Sequence, residues 1–117
     1  MLRASYKTAA IFAAVTVLEA VSMAGLSAAE EQNKVTVQAR LDLGKATYAQ
    51  RCSHCHGPNL LNSGTITPDL RAFPDDQTRF VMTVKQGKNN RMPPWGDILS
   101  DDEIADLWVY VSSRRNQ

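Results

Sequence analysis

Cys52-Ser53-His54-Cys55-His56 decides the reading of this chain. Two thiols stand three positions apart, and an imidazole follows the second at once. This is the C-x-x-C-H pattern of covalent haem attachment. Thiols one helical turn apart can add to the two vinyl groups of a haem, and the histidine after the second is then held against the ring, within reach of the iron. Other uses of these residues fit less well. A structural zinc site wants four ligands in a tetrahedron. The chain has two cysteines and two histidines, all within these five residues. A thioredoxin-like redox pair needs a βαβ context, and no strand pattern is present. A disulfide here would close too short a loop to stabilise much. Cys52 and Cys55 are therefore read as attachment sites for one haem c and His56 as an axial iron ligand; His54 is expected at the surface with no role.

Working outward, helical periodicity lies on both sides. Before the motif, residues 38–51 place Leu41, Gly44 and Tyr48 on one face. A glycine inside a helix costs about 1 kcal/mol against alanine, so Gly44 suggests that another backbone or ring comes close; a tolerated surface glycine is the alternative. After the motif, residues 57–74 hold Gly57, Pro58, Gly64, Pro68 and Pro74, a loop long enough to wrap something. A second helix is expected over residues 76–86, capped by Asp75 or Asp76 and stopped by Gly87, with Phe80, Val81 and Val84 inward. Ser100-Asp101-Asp102-Glu103 is a capping box opening a third helix, with Leu99 and Ile104 as its staple. Ile104, Leu107, Trp108 and Val111 form its apolar stripe, and Arg114 and Arg115 close it where the helix dipole favours cations.

The far side of the iron needs a ligand or stays open for chemistry. No other histidine exists, and Met1 and Met23 fall in the first 29 residues. Met82 is expected in the core of the second helix. Met92 stands in Arg91-Met92-Pro93-Pro94-Trp95-Gly96, where two prolines restrict the backbone just after the sulfur. Met92 is read as the second ligand; a methionine filling a loop gap is the alternative.

The N-terminus reads as an address. Residues 1–7 carry Arg3 and Lys7 without an acid, residues 8–18 are apolar, and Ser27-Ala28-Ala29 fits a cleavage site, with Ser22-Met23-Ala24 as a second candidate. An uncleaved anchor over residues 8–28 would have to carry Glu19 through a membrane, which is costly. The expected domains are a cleaved signal peptide (1–29), a loose tail (30–37) and a haem domain (38–117). Cleavage leaves 88 residues with 11 basic and 11 acidic side chains. That balance gives no support for nucleic-acid binding. So short a chain buries little apolar surface and needs a staple, which the haem would supply.

The order helix, C-x-x-C-H, long loop, helix, Met-Pro loop, helix resembles the class I cytochromes c over residues 41–111. Gly44 and Tyr48 match the glycine and aromatic positions of that family's N-terminal helix, Leu107 and Tyr110 their partners on its C-terminal helix, and Met92-Pro93 its distal-ligand loop. CSHCHGPN (52–59), PDLR (68–71) and MPPWGD (92–97) resemble short periplasmic cytochromes of alpha-proteobacteria, some associated with quinoprotein alcohol dehydrogenases. The resemblance implies an all-α, cytochrome c-like fold with three main helices wrapped around one covalent haem. It implies a periplasmic, monomeric one-electron carrier rather than an enzyme. Its partners would be redox proteins, a dehydrogenase donor and an oxidase or other acceptor, with no stable membrane insertion once the signal is gone. A haem enzyme or sensor with an open distal site, and a membrane-fixed electron-entry subunit, are the competing readings. A carbonyl at Thr67 or Pro68 is expected to orient His56, with Leu70 and Ile98 lining the pocket. Arg71, Arg79 and Trp95 are candidate partners for the haem propionates. Arg51, Lys85, Lys88 and Arg91 are expected to form a basic rim.

Overall fold

The structure, a computed structural model, describes residues 9–62, 67–115 and 117, with side chains from residue 25 onward. Residues 1–8 of the expected leader, Gly64 of the long loop and the side chains of residues 9–24, Glu19 and the Ser22-Met23-Ala24 candidate among them, lie outside that description. The chain divides into two units, Met1–Thr36 and Val37–Gln117. Among the described residues four α-helices run in order: α1 (Ala9–Arg51), α2 (Ser53–His56), α3 (Gln77–Gln86) and α4 (Asp101–Ser113), with 3₁₀ turns at Pro58–Leu60 and Leu70–Ala72 between α2 and α3. Among the described residues there is no strand; one antiparallel bridge joins Lys88 and Met92. The fold is all-α, as the periodicity predicts.

One expectation fails at once. Residues 30–37, expected as a loose tail, are helical within α1. The stretch has no glycine or proline, and the Thr36 hydroxyl donates to the Gln32 carbonyl (2.9 Å). Its polarity belongs to a solvated helix surface, since every residue from 25 to 40 is exposed.

The core lies in the second unit. Helix α4 buries Ile104, Leu107, Trp108, Tyr110 and Val111; α3 adds Phe80 and Val84; Tyr48, Leu60 and Leu99 complete it. Its N-terminus is the predicted capping box: Ser100 Oγ accepts from the Glu103 backbone N–H, and Glu103 accepts from the Ser100 N–H (2.8 Å). Phe73, Phe80 and Trp108 meet edge-on or tilted, with ring centroids 5.2 to 6.4 Å apart, the arrangements aromatic quadrupoles favour. Met82, expected in the core, is 52% exposed. Phe80 and Val84 are one turn apart and point inward, so Met82, two residues from each, is rotated away.

The last turns of α1 cross α4 where Gly44 stands. A Cβ there would lie 2.0 Å from the Asp106 carbonyl oxygen and 3.0 Å from the Leu107 nitrogen. The same crossing carries the Arg40–Asp106 ion pair (2.6 Å) and the Tyr48–Tyr110 ring contact (5.4 Å). Gly44→Ala gains about 1 kcal/mol of helix propensity. It also drives a methyl into backbone that cannot rotate aside, and overpacking costs about 1–3 kcal/mol or more. A net loss of about 1–2 kcal/mol is expected from denaturant unfolding of the haem-loaded protein; a stabilised variant would mean that the helices can part freely.

Candidate functional site

The C-x-x-C-H stretch is built as a break and restart of helix. Cys52 accepts no side-chain cap and sits at φ −116°, its N–H still bonded to the Tyr48 carbonyl (2.9 Å). One short turn follows: the Cys52 carbonyl accepts from Cys55 (3.2 Å) and His56 (2.9 Å), and Ser53 accepts from Gly57 (2.8 Å). This turn sets the two cysteines and His56 at helical spacing. Both thiols are free, so no disulfide joins them. Burial, and then the neighbouring Cys55, push the Cys52 thiol to about 11, so it stays protonated near neutral pH.

Gly57 ends the turn at φ +81°, and a Cβ there would lie 1.8 Å from the Leu61 carbonyl oxygen. Both facts call for glycine. Its carbonyl accepts from the Tyr48 hydroxyl (2.6 Å), which ties the end of the motif back to α1. Leu60, which sequence reasoning missed, is fully buried at φ +67°. A left-handed conformation costs a leucine about 1–2 kcal/mol; burying its side chain returns about 1.5–3, so burial wins.

His56 is half-buried, and burial pushes its pKa below the usual value, which keeps the imidazole neutral, the form that ligates metals. The Pro68 carbonyl acts the other way and raises it, although Nδ1 makes no hydrogen bond of ordinary geometry. Of the two expected carbonyls, Pro68 is thus the one that acts on His56; Thr67 instead accepts from the Asn62 amide.

Met92 is held by a hairpin and two clamps. Lys88 and Met92 exchange both backbone hydrogen bonds (3.0 Å each). Gly87, at φ +73°, lets the Met92 carbonyl approach: a Cβ there would be 2.4 Å away. Beyond the prolines, Trp95 N–H donates to the Val84 carbonyl (2.9 Å) and Gly96 N–H to that of Lys85 (3.2 Å). These are carbonyls that the end of α3 leaves without helical partners. Cys52, Met92, Leu70 and Trp95 all pack, partly buried, on the one core cluster.

Other expected residues are placed differently. Ile98 is 59% exposed, and its neighbour Leu99 enters the core. The Arg71 guanidinium donates to Asp69 through Nε and Nη2, and to the Gln117 carbonyl (3.1 Å). Those bonds hold the Asp69 carboxyl down at about 2. Arg79 lies over the Phe73 ring (5.7 Å). Of the expected basic rim, Lys85 pairs with Asp101 (2.6 Å), and Arg51 acts on Glu103. Lys88 and Arg91 are exposed on the hairpin.

The residues fit a covalent haem. Two free thiols and a neutral imidazole share one turn, and a thioether is fixed by a separate loop on the same core. Among the described residues no three His, Cys, Asp or Glu side chains gather to hold a bare metal ion.

Tyr48→Phe keeps the packing on Tyr110 but removes the donor to Gly57, and a loss of about 1–2 kcal/mol is expected. The pH dependence reports the burial of the hydroxyl. Burial raises the Tyr48 hydroxyl from 10.0 to about 12. A raised folded-state pKa gives stability that is complete below 10 and disappears as pH rises towards 12. Denaturation midpoints of wild type should fall over that window more than those of Tyr48→Phe; parallel curves would mean that the hydroxyl titrates in the folded protein as it does in the unfolded chain.

Residues 39–111 match the family described as cytochrome c oxidase, cbb3-type, subunit III. A quinohemoprotein alcohol dehydrogenase, ADH IIB, of Pseudomonas putida is 40% identical over 78 residues, 64% of this chain and 11% of the relative. The cbb3-type cytochrome c oxidase subunit FixP of Azorhizobium caulinodans is 34% identical over 73 residues, 58% of this chain and 25% of the relative. The chain thus spans a quarter or less of these two proteins. Cytochrome c6 of Chlorolobion braunii is 34% identical over 80 residues, 63% of this chain and 90% of the relative. No solved structure matches.

Proposed function

The chain belongs to the cytochrome c domain family described as cytochrome c oxidase, cbb3-type, subunit III, and from that premise, with haem-based electron transfer as its activity and haem c as its cofactor, we propose that it is a periplasmic one-electron carrier with saturated iron. Cys52 and Cys55 would hold the haem through two thioether links, and His56 and Met92 would be the two protein ligands to its iron. When bound, haem c supplies the chemistry, its iron accepting one electron and releasing it again.

The carrying observation is that the C-x-x-C-H turn and the Met92 loop pack on one core. Burial holds His56 neutral, and the Pro68 carbonyl is the group that would fix its ring orientation. Met92, tied to Lys88 and clamped through Trp95 and Gly96, presents a thioether that raises the reduction potential above that of a bis-histidine site. With His56 and Met92 both bound to the iron, no place would be left for oxygen or substrate, which favours a carrier over an enzyme. Lys88 and Arg91 offer a positive face to an acidic partner.

In this reading residues 1–29 are removed on export, and the mature protein, a monomer, begins at Glu30. Among the described residues no helix is long and apolar enough to cross a membrane. The dehydrogenase relative supports a quinoprotein alcohol dehydrogenase as donor, with an oxidase or similar acceptor. The FixP relative favours a second arrangement, in which the domain is the electron-entry part of a membrane-fixed oxidoreductase. Fractionation together with the mature N-terminal sequence separates these two. Carbon monoxide tests the reading itself: the spectrum of the reduced wild-type protein should not change on exposure. Ready binding would reveal an open distal site and favour an enzyme or sensor.

A further inference from the structure

Two residues before Met92, the backbone does something uncommon. Asn89 and Asn90 both have left-handed φ, +54° and +53°, and the Lys88 carbonyl accepts from the Arg91 N–H (3.0 Å). A four-residue turn with both central residues left-handed is the type I′ turn, whose twist suits a tight antiparallel hairpin. Here the hairpin has one rung, the Lys88–Met92 pair. We propose that Asn89 and Asn90 are positioning residues for Met92: their left-handed turn closes the hairpin and so fixes where the thioether stands. The proposal rests on Met92 as an iron ligand.

The reasoning follows the chain. Helix α3 ends at Gln86, and Gly87 turns the chain at φ +73°. Only five residues, Lys88 to Met92, then reverse direction before Pro93 and Pro94 stiffen the exit. In so short a loop the turn conformation aims the returning strand: the Lys88–Met92 pair closes here over two left-handed residues, and turning either one right-handed would re-aim the segment that carries Met92. The side chain of Met92 would then shift from its partly buried place against the core. Asparagine is the non-glycine residue that tolerates this conformation best. A β-branched residue is the worst. The asparagines act through backbone conformation and need no contact with the haem.

Four variants of the haem-loaded ferric protein test this, with imidazole as the added ligand. Imidazole must displace the native sulfur, so its affinity reports how firmly Met92 is held. Asn90→Val should bind it about tenfold more tightly than wild type, the effect of one strained left-handed residue, and should weaken the long-wavelength band of sulfur-bound ferric haem. Asn90→Ala should move the same way by less, and serves if the valine variant does not fold. Asn90→Gly, free to take positive φ, should match wild type. Met92→Ala sets the fully open limit. Denaturation midpoints measured on the same variants show whether the change in imidazole affinity exceeds what their loss of stability accounts for. If Asn90→Val and Asn90→Ala both bind imidazole like wild type while Met92→Ala binds it tightly, the hairpin role is overturned and ligation stands. If Asn90→Gly opens as far as Asn90→Val, the asparagine side chain matters rather than backbone conformation, which also overturns it. If Met92→Ala itself binds no tighter than wild type, Met92 is not a ligand, and both readings fall.

Discussion

Replacing both Cys52 and Cys55 by alanine is expected to yield a chain that carries no covalent haem and loses most of the helical signal of its second unit. The reason lies in how little that unit buries. Among the described residues ten hydrophobic side chains are buried, half of them on α4. A core in so small a domain rarely supplies more than about 3–5 kcal/mol. Against that, α2 is a single turn, the chain from Gly57 to Pro74 has only 3₁₀ turns among its described residues, and two consecutive residues there, Asn59 and Leu60, adopt left-handed φ. Among their described residues these segments bury a single side chain fully, that of Leu60. Thioether links at Cys52 and Cys55 would tie α2 to a large apolar ring, and the surrounding loop would gain a surface to pack on. Far-UV circular dichroism of the double variant, beside the pyridine haemochrome spectrum of wild type, checks both parts. Native helicity in a haem-free chain would refute the view that the cofactor completes the core.

Met92→Ala is expected to have the next largest effect, on the redox site rather than on folding. The side chain is half-buried at the margin of the core, so its loss costs part of the roughly 2–5 kcal/mol of a fully buried methionine. Its loss as a ligand is decisive. The weak long-wavelength band of sulfur-bound ferric haem should vanish, and the reduced protein should take up carbon monoxide where wild type does not. The potential should fall, since the thioether that favours ferrous iron is gone. A variant that keeps the band would transfer the ligand role to Met82, which lies 52% exposed on α3. A band absent already in wild type would remove sulfur ligation altogether.

What the sequence makes legible is whatever is local or strictly periodic. The C-x-x-C-H spacing, the Ser100 capping box and the Ile104–Val111 stripe each depend on residues within two turns of one another. Gly44 was readable for a different reason: a glycine amid good helix formers is a cost that only a close approach repays. Harder to read is anything that depends on phase or on a distant competitor. Ile98 and Leu99 are equally apolar neighbours just before a cap, and only the staple geometry sends Leu99 inward. Arg71 suits a propionate by its position in the loop, but Asp69, two residues away, takes its guanidinium. Polar residues 30–37 suit a tail and an exposed helix equally. The Asn89–Asn90 turn did carry a signal, two asparagines between a glycine and a methionine, which a search for glycine and proline passes over.

The clamps at Trp95 and Gly96 have a consequence for how this protein comes apart. Their amides occupy the Val84 and Lys85 carbonyls. The segment bearing Met92 therefore cannot lift like a free flap, because each step outward strips the end of α3 of its caps and frays the helix. Loop and helix melt as one cooperative unit. Its opening would then be set by what holds Phe80 and Val84 in the core, so a change on the inner side of α3 would tune how often Met92, as the proposed ligand, lets go.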